Sequence, residues 1–248
     1  MPAARRTLAA TTTLLALLTT AAPAVAAAPA VVQAPNATSH LHGGGVLNST
    51  SGNWSGYAAT GGKFTSVSAS WVQPSVSCSG TSTWSSFWVG IDGDGSNSVE
   101  QTGSEADCSG GSPVYSSWYE MYPAYPVNFS GTVRAGDHFT ASVTTNGSGS
   151  FTLTLADTTE GWSHTVNKSL KSAALASAEV IAEAPSSSTG VLPLSKFGTV
   201  AFTGSSANGQ AIGTFSPDRI TMASGGTTKA STSSLSGGSA FSVTWKHS

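Results

Sequence analysis

The stretch NKSLKSAALASAEVIAEAP, Asn167 to Pro185, decides between two folds. Its alanines, leucines, lysines and glutamates are helix formers, so propensity alone predicts a helix. Its last third also reads as a strand: Glu179, Ile181 and Glu183 fall on one face, Val180 and Ala182 on the other, and Pro185 disfavours helix at the residue before it. These residues taken by themselves leave both readings open.

The flanking sequence favours strands. Val67, Ala69 and Trp71 alternate with serines, and the same period of two recurs at Phe139, Ala141 and Val143, at Phe151, Leu153 and Leu155, and at Phe241, Val243 and Trp245. Asn146-Gly147 marks a hairpin turn and Asp157 to Gly161 another break. Short half-buried strands joined by Gly- and Ser-rich turns predict an all-β sandwich or barrel. No fixed-period repeat interrupts the pattern.

Residues 1–26, MPAARRTLAATTTLLALLTTAAPAVA, place Arg5 and Arg6 before a short apolar run and an A-x-A end, the pattern of a secretory signal peptide. Residues 27–50 lack a hydrophobic period and read as a propeptide or flexible extension. The folded domain is expected over 51–248, about 200 residues, enough for one core. Export predicts a secreted, extracellular protein with no membrane association after signal removal, and a monomer is the expected state.

The chain holds 10 basic and 12 acidic residues, and removing the signal leaves eight against twelve, a formal charge of −4. A mildly acidic chain without a basic cluster argues against nucleic acid. Few carboxylates also leave little ion-paired stability to lose in acid. Cys78 and Cys108 are the only cysteines, and export predicts a disulfide between them, worth about 3 to 4 kcal/mol for a loop of this length. Two free thiols are the alternative.

Familiar hydrolytic chemistries fit poorly. Asp92, Asp94, Asn97 and Glu100 in DGDGSNSVE could offer oxygen ligands, yet miss the EF-hand spacing. HExxH is absent, and His138, His164 and His247 are scattered, so no metal or other cofactor is expected. There is no GxSxG for a serine nucleophile, cysteines destined to pair cannot serve as thiolates, and Asp-Thr-Gly and Asp-Ser-Gly are missing. What remains is carboxylates among aromatics: in YSSWYEMYP, Trp118, Glu120 and Tyr122 share one strand face, a setting that desolvates a carboxylate and raises its pKa. An edge-strand glutamate whose neighbours cover the core is the plainer explanation.

Four segments in this order, NWSGYAATGGKFTSVSASWVQPSV from Asn53, WVGIDGDGSNSVEQTG from Trp88, WYEMYP from Trp118 and AEVIAEAP from Ala178, resemble the glutamic peptidases, the eqolisin or G1 family, in a secreted member of bacterial type. The resemblance is densest in the first three and thins beyond Pro185. It implies a sandwich of two antiparallel, about seven-stranded sheets, concanavalin- or jelly-roll-like, made as a precursor and hydrolysing polypeptide substrates in acid without a cofactor. It also implies a catalytic pair, Gln101 of QTG and Glu183 of AEVIAE, which would make that segment a strand. Trp54, Trp88, Asp92, Glu120 and Tyr122 match positions that line or support the family's cleft.

In such a pair an ionised Glu183 takes a proton from water, and Gln101 offers an amide donor to the developing oxyanion. An unperturbed glutamate pKa of about 4.3 would suit an acidic optimum. The competing reading is a carbohydrate-binding, lectin-like sandwich that presents some of its seven tryptophans to sugars. Asn36, Asn48, Asn53, Asn128, Asn146 and Asn167 lie in N-x-Ser/Thr sequons, which matter only in a host that glycosylates.

Overall fold

Residues 48–248 are described by the computed structural model; the expected signal peptide and nearly all of the extension lie outside the described residues. The chain opens with β1 (Asn48–Ser51), β2 (Trp54–Ala59), β3 (Ser66–Val72), β4 (Ser86–Ile91), β5 (Val99–Ser109), β6 (Ser112–Tyr122) and β7 (Val127–Asn128). It continues through β8 (His138–Thr145), β9 (Ser150–Asp157), β10 (Trp162–Ser169), β11 (Ala178–Glu183) and a small hairpin of β12 (Ser186–Ser187) and β13 (Gly190–Val191). The last part holds β14 (Thr199–Ala207), β15 (Gln210–Ala211), a 3₁₀ turn at Ile212–Phe215, β16 (Asp218–Ser224), β17 (Thr227–Thr232) and β18 (Phe241–Trp245). No described helix is long and apolar enough to cross a membrane.

One hydrogen-bonded path runs β10-β9-β8-β3-β14-β18-β17-β16-β2-β11-β4-β5-β6-β7, and it folds back on itself at the β16–β17 hairpin. The first seven strands form one layer and the last seven the other: β4 faces β8, β5 faces β8 and β9, and β11 faces β3 and β14. The expected seven-stranded layers are therefore present, joined through that hairpin rather than separate. Pairing along the path is antiparallel throughout.

The alternating strands behave as their period predicts. Val67, Ala69, Trp71, Phe139, Ala141, Val143, Phe151, Leu153 and Leu155 all point between the layers. Trp71 stacks on Phe139 at 5.7 Å, and Phe202 on Phe241 at 5.1 Å, so aromatic rings fill much of that space. The turns fall where expected, at 146–149 and 158–161.

The contested stretch contains no helix. Its first three residues end β10, residues 170–177 form a connection, and Ala178–Glu183 is β11, between β2 and β4. All six residues of β11 are buried, as are all those of β2 and β4. Ala178, Val180 and Ala182 enter the inter-layer core, while Ile181 joins a second cluster with Trp54, Ala58, Trp88, Val99, Trp118 and Ile220 on the outer face of the same layer. A strand covered on both faces loses the simple inside-outside alternation that a half-buried strand shows.

The folded part starts earlier than expected. Asn48–Ser51 pairs in parallel with Arg219 to Met222, and Arg219 Nε donates to Asn48 Oδ1 at 2.9 Å. A polar NSTS segment carries no hydrophobic period, so backbone pairing and side-chain hydrogen bonds place it instead.

Candidate active site

Strand register arranges the site. Ala58, Glu179, Gly90, Gln101 and Glu120 lie in one row across β2, β11, β4, β5 and β6. Two residues along, the next row is Gly56, Ile181, Trp88, Gly103 and Trp118; the one after it holds Trp54, Glu183, Ser86, Glu105 and Ser116. Successive rows keep the same face of the sheet, so Gln101, Glu120, Trp88 and Glu183 all project from the outer face.

Two glycines make the convergence possible. A Cβ at Gly90 would lie 2.9 Å from Trp88 Cζ3 and 3.1 Å from Gln101 Cβ, so its absence lets the two side chains approach over β4. Gly93, at φ +107, makes room for the Trp54 ring, whose Cη2 a Cβ would meet at 2.8 Å. Trp54 in turn packs edge-on against Trp88 at 5.0 Å, and Tyr122 packs half-buried on the same cluster.

Glu183 is wholly buried. Trp88 Nε1 donates to its Oε2 at 2.9 Å and Asn53 Nδ2 to its Oε1 at 3.3 Å. Burial raises its pKa well above the usual glutamate value and the charge of Glu120 raises it further, while donors from Trp88, Asn53 and Trp54 pull it down. Gln101 is also buried, and its Nε2 donates to Glu120 Oε2 at 2.8 Å. Glu120 is thus the common neighbour of both candidate catalytic side chains: it accepts from one and perturbs the other. It is fully buried, and β6 is flanked by β5 on one side and by the short β7 on the other.

Asp92 performs a different task from the residues of this buried face. Its carboxylate accepts from the backbone N–H of Leu175 at 2.8 Å and of Ala176 at 2.7 Å, and its own N–H donates to Ser177 O at 3.0 Å. It clamps the connection that leads into β11. Cys78 and Cys108 are bonded, joining the segment before β4 to the far end of β5.

The sequence reading gave no role to Glu179, Ser51 or Asn53. Glu179 is buried in the row of Gln101, and burial lifts its pKa well above the usual value, with the charges of Asp94 and Asp92 adding to that. Asn53, which opens both the first family motif and a sequon, is 1% exposed, so a glycan could not be accommodated there in the folded state. The other described sequon asparagines, Asn48, Asn128, Asn146 and Asn167, are exposed. Only the order of polar residues around NWS could have hinted at these roles.

Among the described residues, no group of three or more His, Cys, Asp or Glu is placed to hold a metal ion. His164 instead stacks on Phe129 at 4.8 Å and bonds the Ser130 carbonyl. Nor is any tryptophan among the exposed large hydrophobic residues: Trp54, Trp88 and Trp118 are each 0% exposed, so they present no ring face to a sugar.

Fold and site together define a two-layer antiparallel sandwich that gathers buried carboxylates and an amide on one sheet face. The chain belongs to the peptidase A4 family, whose profile matches residues 52–245. It is 32% identical to aspergillopepsin-2 of Aspergillus niger over 181 residues, 63% of this chain and 64% of that protein. It is also 40% identical to scytalidopepsin B of Scytalidium lignicola over 111 residues, 44% of this chain and 41% of that one. These alignments therefore span less than two thirds of either relative.

Among solved structures, scytalido-glutamic peptidase with a transition state analog inhibitor superimposes with a TM-score of 0.69 at 28% identity, covering 79% of this chain and 98% of that one. A structure of SCP-B, of the eqolisin family, in complex with the tripeptide Ala-Ile-His gives 0.65 at 27% identity, covering 79% and 98%.

Proposed function

We propose that this protein is a secreted acid endopeptidase in which Glu183 activates water and Gln101 stabilises the oxyanion. The observation that carries the reading is the paired anchoring of the two side chains on one buried sheet face. Glu183 is held by Trp88 and Asn53, and Gln101 is held by Glu120. Family membership and a neighbour solved with a tripeptide support a polypeptide substrate. The pattern of residues 1–26 supports export.

The chemistry follows from the donor inventory. Glu120 accepts from the Gln101 amide NH2 and fixes its plane, and that amide is the donor offered to a substrate oxygen. Ionised Glu183 removes a proton from water as the water oxygen bonds to the scissile carbonyl carbon. The carbonyl electrons move onto oxygen, where the Gln101 amide stabilises them. Glu183 then delivers its proton to the amide nitrogen as the carbon–nitrogen bond breaks, giving a carboxyl and an amine and restoring the carboxylate.

Burial modifies the expected pH dependence. Since burial holds Glu183 above the usual glutamate range, the acid limb of activity should lie at higher pH than a free glutamate would give.

Hydrolysis of an unfolded protein substrate from pH 2 to 7 tests the proposal. Glu183→Gln should be inactive, and Gln101→Ala should lose about 100- to 1000-fold in kcat while still folded by circular dichroism. Wild-type activity in a folded Glu183→Gln protein would refute the assignment.

A further inference from the structure

Ser51 and Asn53 stand outside the residues that the reaction itself requires, yet they end on Glu183. Ser51 Oγ accepts from the backbone N–H of Asn53 at 3.3 Å and of Trp54 at 3.1 Å. A hydroxyl has two acceptor sites and a single hydrogen. With both acceptor sites taken, its hydrogen goes to Asn53 Oδ1, 2.9 Å away. That contact settles which way the Asn53 amide faces: oxygen toward Ser51, NH2 toward Glu183 Oε1. All three side chains are buried, so water does not compete for these bonds.

Ser51 ends β1, and β1 is itself fixed by parallel pairing with β16. The geometry points to Ser51 and Asn53 as positioning residues that hold the Glu183 carboxylate in its working orientation, with β1 as their anchor. This rests on the reading of Glu183 as the base and adds the device that aims it. Trp88 fixes the second oxygen, so the carboxylate is gripped at both ends by neutral N–H donors that favour its ionised form. Other ionisable groups projecting from this face are Glu179 on the same strand, Glu105 and Asp107 in β5, Glu120 and Tyr122 in β6, and Asp218 in β16; β2 and β4 contribute none. Trp88, Asn53 and Trp54 are therefore the neutral donors that oppose the acidic neighbours.

Kinetics and a direct titration of Glu183 test this together. The signal would come from ¹³C-carboxyl-labelled glutamate in the folded protein, assigned by its loss in Glu183→Gln. Asn53→Asp replaces the donor by an acceptor of the same shape. It should lower kcat about 10- to 100-fold with KM within about twofold, and move both the Glu183 titration and the acid limb of kcat/KM to higher pH. Ser51→Ala, which frees the amide to turn, should shift both readouts in the same direction by less. Ser51→Thr, which keeps the hydroxyl, should behave as wild type.

An unmoved Glu183 titration in both Asn53→Asp and Ser51→Ala would overturn the proposal. So would a loss in Ser51→Thr equal to that in Ser51→Ala, since packing rather than the hydroxyl would then be responsible. Should Asn53→Asp fail to fold, the two Ser51 variants decide the matter. Activity in Glu183→Gln would instead refute the base assignment, and the titration would still show whether Ser51 and Asn53 govern this carboxylate.

Discussion

Glu120 faces two partners, and the consequences of altering it have opposite origins. Its oxygen accepts from Gln101 Nε2, while its charge helps to raise the Glu183 pKa. Glu120→Gln keeps an acceptor for Gln101 and removes the charge. The acid limb of kcat/KM should then move to lower pH, with kcat on the plateau changed by less than about tenfold, as a pH–rate profile would show. A limb that stays in place would mean that burial alone raises Glu183. The sequence exposed the setting of Glu120, because WYEMYP displays a carboxylate between two aromatics on one face. It did not disclose that the partner is Gln101, which is 19 residues away and meets it only through β5–β6 register.

At the scale of elements, the segment before β11 decides where Glu183 stands. Residues 170–177 form no strand and are tied to the turn after β4 by Asp92, whose carboxylate takes two backbone N–H groups. Asp92 adopts φ 70, a left-handed conformation that Asn also tolerates. Asp92→Asn should therefore cost about 1 to 3 kcal/mol, since one backbone donor loses its acceptor without added backbone strain. Urea unfolding measures this, and an unchanged midpoint would show that the clamp is dispensable.

Helix propensity failed in this segment for a physical reason. Ala, Leu and Glu are good helix formers in isolation, but six residues inserted between β2 and β4 satisfy their backbone groups on both sides and bury both faces. Tertiary pairing outweighs a preference worth a few tenths of a kcal/mol per residue.

For the whole molecule, the balance of buried acids sets the stable pH range. Glu100 is pushed up to about 8, first by burial and then by the charge of Asp92, and Glu179 and Asp107 are raised mainly by burial. Each is protonated in both folded and unfolded chains below about pH 4. Above that the unfolded chain releases its protons while the native state retains them, so stability falls as pH rises toward the folded values. Thermal melts should show the highest melting temperature in acid and a decline through neutrality. Glu100→Gln should flatten the part of that decline lying between about 4 and 8, on the order of 3 to 5 kcal/mol. A melting temperature that rises from pH 4 to 8 would contradict this. Reduction of Cys78–Cys108 should lower stability by about 3 to 4 kcal/mol, readable in the same melts with and without reductant.

Charge content alone suggested that few carboxylates would leave little to lose in acid. The structure adds the sign: these carboxylates favour acid because so many are buried.

By itself the sequence determined the strands with one dry and one wet face, the turns between them and the motifs that mark the family, and it led one to expect the cysteine pair that the structure shows. All of these are local or nearly so: period two, turn chemistry and residue order survive without knowledge of the third dimension. Tertiary structure alone decided that Asn48–Ser51 pairs as a strand, that Asp92 clamps a connection and that Asn53 reaches Glu183, and it bears out against helix propensity the strand that the family resemblance implied for AEVIAE. Those outcomes depend on partners 83 and 130 residues away, whose hydrogen bonds and burial exist only once the sheet has closed over them.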